Sequence, residues 1–264
     1  MGMVIVFFAV SILSSIAGSI CGIGGGVIIK PVLDATGIMS VSAISFLSGC
    51  TVLAMSVVSV YKNVRSKAAK LDLRIATGLA VGAAVGGVLG KTMFQSLKEA
   101  VGNEAVVGMT QAIVLIAVTL GTLIYTVFKH RIRTKTYTQI WLCVVIGILL
   151  GVMSSFLGIG GGPINLVVLA YFFSMSTKEA ALSSLYIIMF SQITSLIQTC
   201  ATGSIPKVSA AYLAAMVVGG ILGGTLGSKV NKKISEEGVN KLFIALMAVI
   251  IGINIYNAVK FGMA

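Results

Sequence analysis

Charge is what this chain has least of. Only 10% of its 264 residues are Asp, Glu, Lys or Arg, against roughly 25% in a soluble globular domain. That shortage excludes an ordinary water-soluble fold. Histidine is nearly absent, a single His130 in a basic connecting segment, and the four cysteines (Cys21, Cys50, Cys143, Cys200) lack the paired spacing of a zinc or haem site. With no His, Cys or carboxylate constellation to carry chemistry, the chain reads as a non-enzyme with no catalytic residue, no metal and no cofactor; coupling to a proton or sodium gradient is left open. The cysteines read as small core residues, with Cys21 set apart because it abuts a glycine cluster. No basic stretch precedes the first apolar run and no clear small-residue cleavage site follows it, so the residues near Met1 are expected to be retained.

Other absences narrow the class. The glycine clusters lack the Gly-Lys-Ser/Thr ending of a P-loop and the strand context of a dinucleotide site, which excludes an ATP-driven pump. Aromatic residues are not interleaved with the 19 Lys and Arg, so the net charge of +12 does not signal nucleic acid.

What remains is apolar. Hydrophobic residues make up 57% of the chain and mean hydropathy is +1.06. Runs at 4–20, 41–61, 75–90, 107–128, 139–157, 180–199, 210–228 and 242–259 approach the ~20 residues that cross a bilayer as helix. A transmembrane barrel needs alternating polarity, whereas these runs are continuously apolar and rich in Gly and Ala. The expected fold is all-α: a multi-pass cell-membrane protein whose partners are the lipid bilayer and a small anionic substrate.

The chain is duplicated. Gly22-Ile23-Gly24-Gly25-Gly26 recurs 136 positions later as Gly158-Ile159-Gly160-Gly161-Gly162. Gly82, Gly86, Gly87, Leu89 and Gly90 then match Gly219, Gly223, Gly224, Leu226 and Gly227, and Leu115–Val118 matches Leu246–Val249. About six extra residues lie between 91 and 114 of the first half. The halves are residues 1–128 and 139–264, joined by a basic linker at 129–138 expected in the cytoplasm. Internal repeats of this kind recur in secondary transporters.

Charge orients the repeats. If the chain turns back at each glycine cluster, each half has about five helical segments, and 14 of the 19 basic residues share one face. Lys91, Lys98, Lys207 and Lys260 hold the other, and Lys30 lies in the first short segment. Because Lys and Arg mark the cytoplasmic side, inverted five-plus-five repeats are expected, with broken or re-entrant helices at the glycine motifs and both termini outside the cytoplasm.

Consecutive glycines in hydrocarbon leave backbone amides without cover, tolerable only where they line a cavity. Positive φ lets successive N–H groups face one concavity, and the following helix adds the positive end of its dipole. Gly22, Gly24, Gly25, Gly26 and Gly158, Gly160, Gly161, Gly162 are therefore the expected substrate-binding anion cradle. Pro163 opens the next helix, and Asn165 is placed to donate to an oxyanion. Lys30, four residues before Asp34, is either a ligand or half of a local pair or snorkels to the interface. Ser48, Thr51, Ser184 and Gln192 offer polar side chains for the same site, or bond across helices instead. The Gly82–Gly90 and Gly219–Gly227 series reads as close helix packing.

The motif Gly22-x-Gly24-Gly25-Gly26-x-x-x-x-Pro31, its repeat Gly158-x-Gly160-Gly161-Gly162-Pro163, and a small-residue helix after each (near Ala43 and Ala180) resemble the TauE/SafE sulfite exporter family over nearly the whole chain. The resemblance implies a permease for sulfite, an organosulfonate or a similar sulfur-containing anion, held between the glycine motifs and moved by alternating access. An uncoupled anion channel, and a thiosulfate or sulfur-compound importer using Cys21, stand as alternatives. Val167 stands where a second Pro31 would fall, so the second half is expected to be shaped differently around its ligand.

Overall fold

The computed structural model describes residues 2–66, 69 and 71–263, with only the backbone of His130; Lys67 and Lys70 of the expected basic face lie outside the described residues. Ten α-helices follow one another, with no strand among the described residues: α1 (Gly2–Cys21), α2 (Gly26–Thr36), α3 (Val41–Ser66), α4 (Leu73–Val101), α5 (Glu104–Phe128), α6 (Ile140–Leu157), α7 (Pro163–Phe173), α8 (Thr177–Ala201), α9 (Ala210–Lys233) and α10 (Glu236–Gly262). Eight are long and apolar enough to span a membrane, and α2 and α7 are the exceptions. At 11 residues each, these two reach roughly 16 Å at ~1.5 Å per residue, about half of a ~30 Å hydrocarbon core.

Several helices outrun their apolar segments because polar residues cap them in the turns. Asp72 accepts from the N–H groups of Arg74 and Ile75 ahead of α4, Ser176 and Glu179 form a capping box at α8, and Ser209 and Ser235 open α9 and α10. The extra residues of the first half lengthen α4, which has 29 residues against 24 in α9. The linker makes a short turn at Lys129–Arg131 and then runs beside the end of α7, where the Lys135 and Tyr137 N–H groups donate to the Tyr171 and Phe172 carbonyls at 2.7 and 3.0 Å.

Helix pairing is reciprocal: α4 packs on α6 as α9 packs on α1, α4 also meets α8 as α9 meets α3, and α5 lies along α10. Glycine makes these approaches possible. A Cβ at Gly82, Gly86 or Gly90 would lie 2.9 Å from backbone atoms of Ile148 or Val152 on α6, and at Gly227 2.7 Å from Ser19 Cβ on α1. Gly87 and Gly224 face the second neighbour, α8 and α3. The cysteines depart from a uniform core role. Cys21 and Cys143 are buried, Cys50 is half-buried, and Cys200 is exposed near the end of α8, where the chain leaves the packed interior.

Candidate functional site

Both glycine motifs are loops that break a helix pair inside the bundle. α1 ends at Cys21 and α2 starts at Gly26; α6 ends at Leu157 and α7 starts at Pro163. Gly22 and Gly24 have φ of +75° and +76°, and their counterparts Gly158 and Gly160 have +66° and +73°, a region side chains rarely enter. The copies diverge at the fourth position: Gly25 is right-handed at φ −64°, whereas Gly161 is at +119°. Pro163 at the first helical position delays the start of α7 by one residue relative to α2, and the second loop differs in shape at that point.

The loops touch. A Cβ on Gly24 would lie 3.5 Å from the Gly160 carbonyl oxygen, and one on Gly26 would lie 2.7 Å from the Ile159 carbonyl carbon and 2.8 Å from Ser48 Oγ. Equivalent residues of the two halves, Val52 on α3 and Ile188 on α8, pack against the glycines with apolar side chains. Ile23, Gly24, Gly25, Ile159, Gly160, Gly161 and Gly162 are all buried. Among the described residues, none of their backbone N–H groups donates to a protein acceptor. Each buried, unmet donor of this kind costs on the order of 1–3 kcal/mol, so the junction is a concentration of unused donors.

Side chains around it are also underused. Ser15, Ser45, Ser48 and Asn165 each keep a buried oxygen without a partner. Asn165 Nδ2 donates to Ser184 Oγ at 3.3 Å. Lys30 is buried at 3% exposure and pairs with Asp34 at 2.6 Å, so it does not snorkel; its Cε lies 3.5 Å from where a Cβ on Gly158 would stand. The far oxygen of Asp34 has no partner. The carboxyl end of α2 is held by α10, through Asn257 Nδ2 to the Pro31 carbonyl at 2.8 Å and Lys260 Nζ to the Ala35 carbonyl at 3.0 Å.

Of the side chains expected at the site, Ser48, Asn165, Ser184 and Lys30 gather around the loops. Thr51 does not: its hydroxyl donates to the Leu47 carbonyl at 2.8 Å and its methyl faces Gly220 on α9. Gln192 lies farther off, its Oε1 2.9 Å from a Cβ placed on Gly49, and it shares with Gly158 the wall of a small polar chamber. Sequence reading passed over Ser15, Gln111 and Lys91. For Gln111 the signal was a lone amide in an apolar run, and its Nε2 donates to the Phe156 carbonyl at 2.6 Å.

Clefts approach from both ends of the bundle. One, of about 300 Å³, is lined by Cys21, Lys129, Thr177 and Glu236 among others; burial pushes the Lys129 ammonium below its ordinary lysine value, and the charge of Glu236 opposes that shift. At the other end a cleft of about 460 Å³ is bounded by Ser42, Lys91, Lys98, Glu104 and the turn at 203–206. A polar chamber of about 20 Å³ lies beyond it and reaches Gly158.

The family model described as "Sulfite exporter TauE/SafE" matches residues 7–255. No curated protein and no solved structure matches the chain.

Proposed function

From the premise that the chain belongs to the TauE/SafE sulfite exporter family, a family of membrane transporters and not enzymes, we propose that it carries a small sulfur-containing oxyanion, sulfite or an organosulfonate, bound at the junction of the two glycine loops. The observation that carries this reading is the set of seven N–H groups, on buried residues, without protein acceptors where the loops meet. An oxyanion supplies acceptors for several donors at once, and the positive ends of α2 and α7 favour its charge. Neutral backbone donors hold the anion less tightly than a fixed cation would, which suits a site that must also release it.

The two halves act as inverted repeats about this junction, and rocking of one helix layer against the other exposes it to each cleft in turn. The reciprocal pairing of α4 with α6 and α9 with α1 supports that symmetry. The end carrying the 129–135 linker faces the cytoplasm, by its excess of Lys and Arg. Flux of sulfite and sulfoacetate in proteoliposomes tests the proposal: saturable transport is expected, lost in Gly25→Leu and Gly161→Leu. Transport at wild-type rates by both variants overturns it.

A second reading has one observation in its favour. Cys21, a buried residue, is among those lining the 300 Å³ cleft, consistent with thiol-dependent thiosulfate uptake. Undiminished thiosulfate transport by Cys21→Ala removes it.

A further inference from the structure

The two halves are not equal at one set of matched positions. Ser19, Ser59 and Ser228, on α1, α3 and α9, correspond by the repeat offsets to Ser155, Ser195 and Lys91 on α6, α8 and α4. The first trio is a closed contact. Ser19 Oγ lies 2.9 Å from Ser59 Oγ and 3.3 Å from Ser228 Oγ, and Asn231 beside it donates to the Ile20 carbonyl at 2.6 Å. The second trio lines the polar chamber that reaches Gly158. The two sets differ at two matched positions: Lys91 stands where α9 has Ser228, and Ser191, whose Oγ lies 3.4 Å from Ser155 Oγ, stands where α3 has Met55.

Lys91 is half-buried, lies over the Phe94 ring at 5.2 Å, and borders both the chamber and the 460 Å³ cleft. Among the described residues it has no carboxylate within ion-pair distance; the neighbouring Lys98 is occupied by Glu104 at 2.9 Å and Ser42 at 2.9 Å. Polar groups without partners line the same two cavities: Ser45 Oγ and Gln111 Oε1 in the chamber wall and Gln95 Nε2 in the cleft wall are buried and unsatisfied. No Asp or Glu lines the chamber, whereas Glu99 and Glu104 line the cleft. An unpaired ammonium next to unmet donors calls for an acceptor-rich anion.

We propose that Lys91, with Ser45, Ser155, Ser195 and Gln95, forms a second anion site, an entry site that admits small oxyanions from the 460 Å³ cleft and passes them toward Gly158. The chamber holds about 20 Å³, room for one water and less than an oxyanion needs, so the anion rests at its mouth against Lys91 and moves inward only when α4 and α8 part. This deepens the permease reading above and rests on it for the direction of passage, but not for binding. The chemistry of the donors selects sulfite-like oxyanions over neutral sulfones of similar size.

The test uses the full chain in two assays, sulfite flux in proteoliposomes and thermal unfolding in detergent with sulfite or dimethyl sulfone added. Lys91→Gln is expected to raise KM for sulfite about ten- to hundredfold, the loss of one charge-assisted hydrogen bond, with kcat changed much less. It should also abolish stabilisation by sulfite that wild type shows at the same concentration. Lys91→Arg should restore both. A wild-type KM and a wild-type shift in Lys91→Gln overturn the entry site while leaving the permease reading intact. Stabilisation by sulfite that depends on Lys91 in a protein that transports no sulfite keeps the binding site and overturns the permease reading. No stabilisation of wild type by sulfite overturns the entry site.

Discussion

Gly26→Ala is the most direct probe of the loop junction. Gly26 is the first residue of α2 and has an ordinary helical conformation, so adding a methyl brings no backbone strain; the effect is steric alone. That methyl would lie 2.7 Å from the Ile159 carbonyl carbon and 2.8 Å from Ser48 Oγ, where ordinary contact begins near 3.4 Å. Serine can rotate away, but the carbonyl belongs to the facing loop and cannot. The Ile159 carbonyl oxygen lies closer still, so the loops must part by well over 0.7 Å to reach that contact distance, and overpacking of this kind costs about 1–3 kcal/mol. The larger consequence falls on the anion. If the proposed anion bridges the two loops, it loses donors once they separate, and losing one hydrogen bond to a charged group, worth about 1.5–3 kcal/mol, lowers affinity at least tenfold. Sulfite flux in proteoliposomes, read beside thermal unfolding, measures both terms. Gly252→Ala is the control, because a Cβ there meets nothing within 4 Å and alanine favours the helix by up to ~1 kcal/mol. Adding Ser48→Ala to Gly26→Ala should recover little, since Ile159 is untouched. Gly26→Ala protein with the flux and unfolding temperature of the Gly252→Ala control would refute the close approach of the loops.

Further outcomes follow from the same packing. Asp34→Asn leaves the Lys30 ammonium buried beside Gly158 without its 2.6 Å partner; a loss of about 3–5 kcal/mol is expected, and Lys30→Met with Asp34→Leu should regain most of it, whereas a single-variant loss below about 1 kcal/mol would refute a tightly held pair. Gly223→Val should prevent assembly of α9 on α1, since a Cβ there already lies 2.5 Å from Ser15 Cβ and 2.6 Å from the Ile12 carbonyl oxygen, while Gly121→Val, in open space, should be neutral; equal yields of folded protein would contradict that packing. In a cysteine-free background, Met263→Cys should react with an impermeant maleimide on intact cells, and Thr136→Cys only after permeabilisation. The opposite pattern would reverse the orientation.

Much of the fold was readable because its causes are local. Uninterrupted apolar runs have no choice but helix in hydrocarbon, and the eight expected runs correspond to the eight long helices. Polar caps were harder to weigh: Asp72 and Ser235 carry α4 and α10 past the apolar residues that announce them. The short length of α2 and α7 was open in the sequence, since the apolar stretch from Val4 to Ile38 fits two incomplete crossings as readily as a helix and a half-length return. Thr51 shows the limit for side chains. Its type and spacing suit an oxyanion ligand, but a hydroxyl on a helix can always bond back to the carbonyl four residues earlier, and this one does.

By itself the sequence determined that the chain lives in a membrane, that it is duplicated, and that glycine interrupts it at matched positions, because hydropathy, repetition and backbone freedom are properties of short segments. Only the tertiary structure decided that the two interruptions meet, that Val52 and Ile188 flank them, and that Lys91 lines a polar chamber while its counterpart Ser228 meets Ser19. Those facts depend on which helix faces lie together across more than a hundred residues of chain, and in a bundle that is set by where glycine lets two backbones approach.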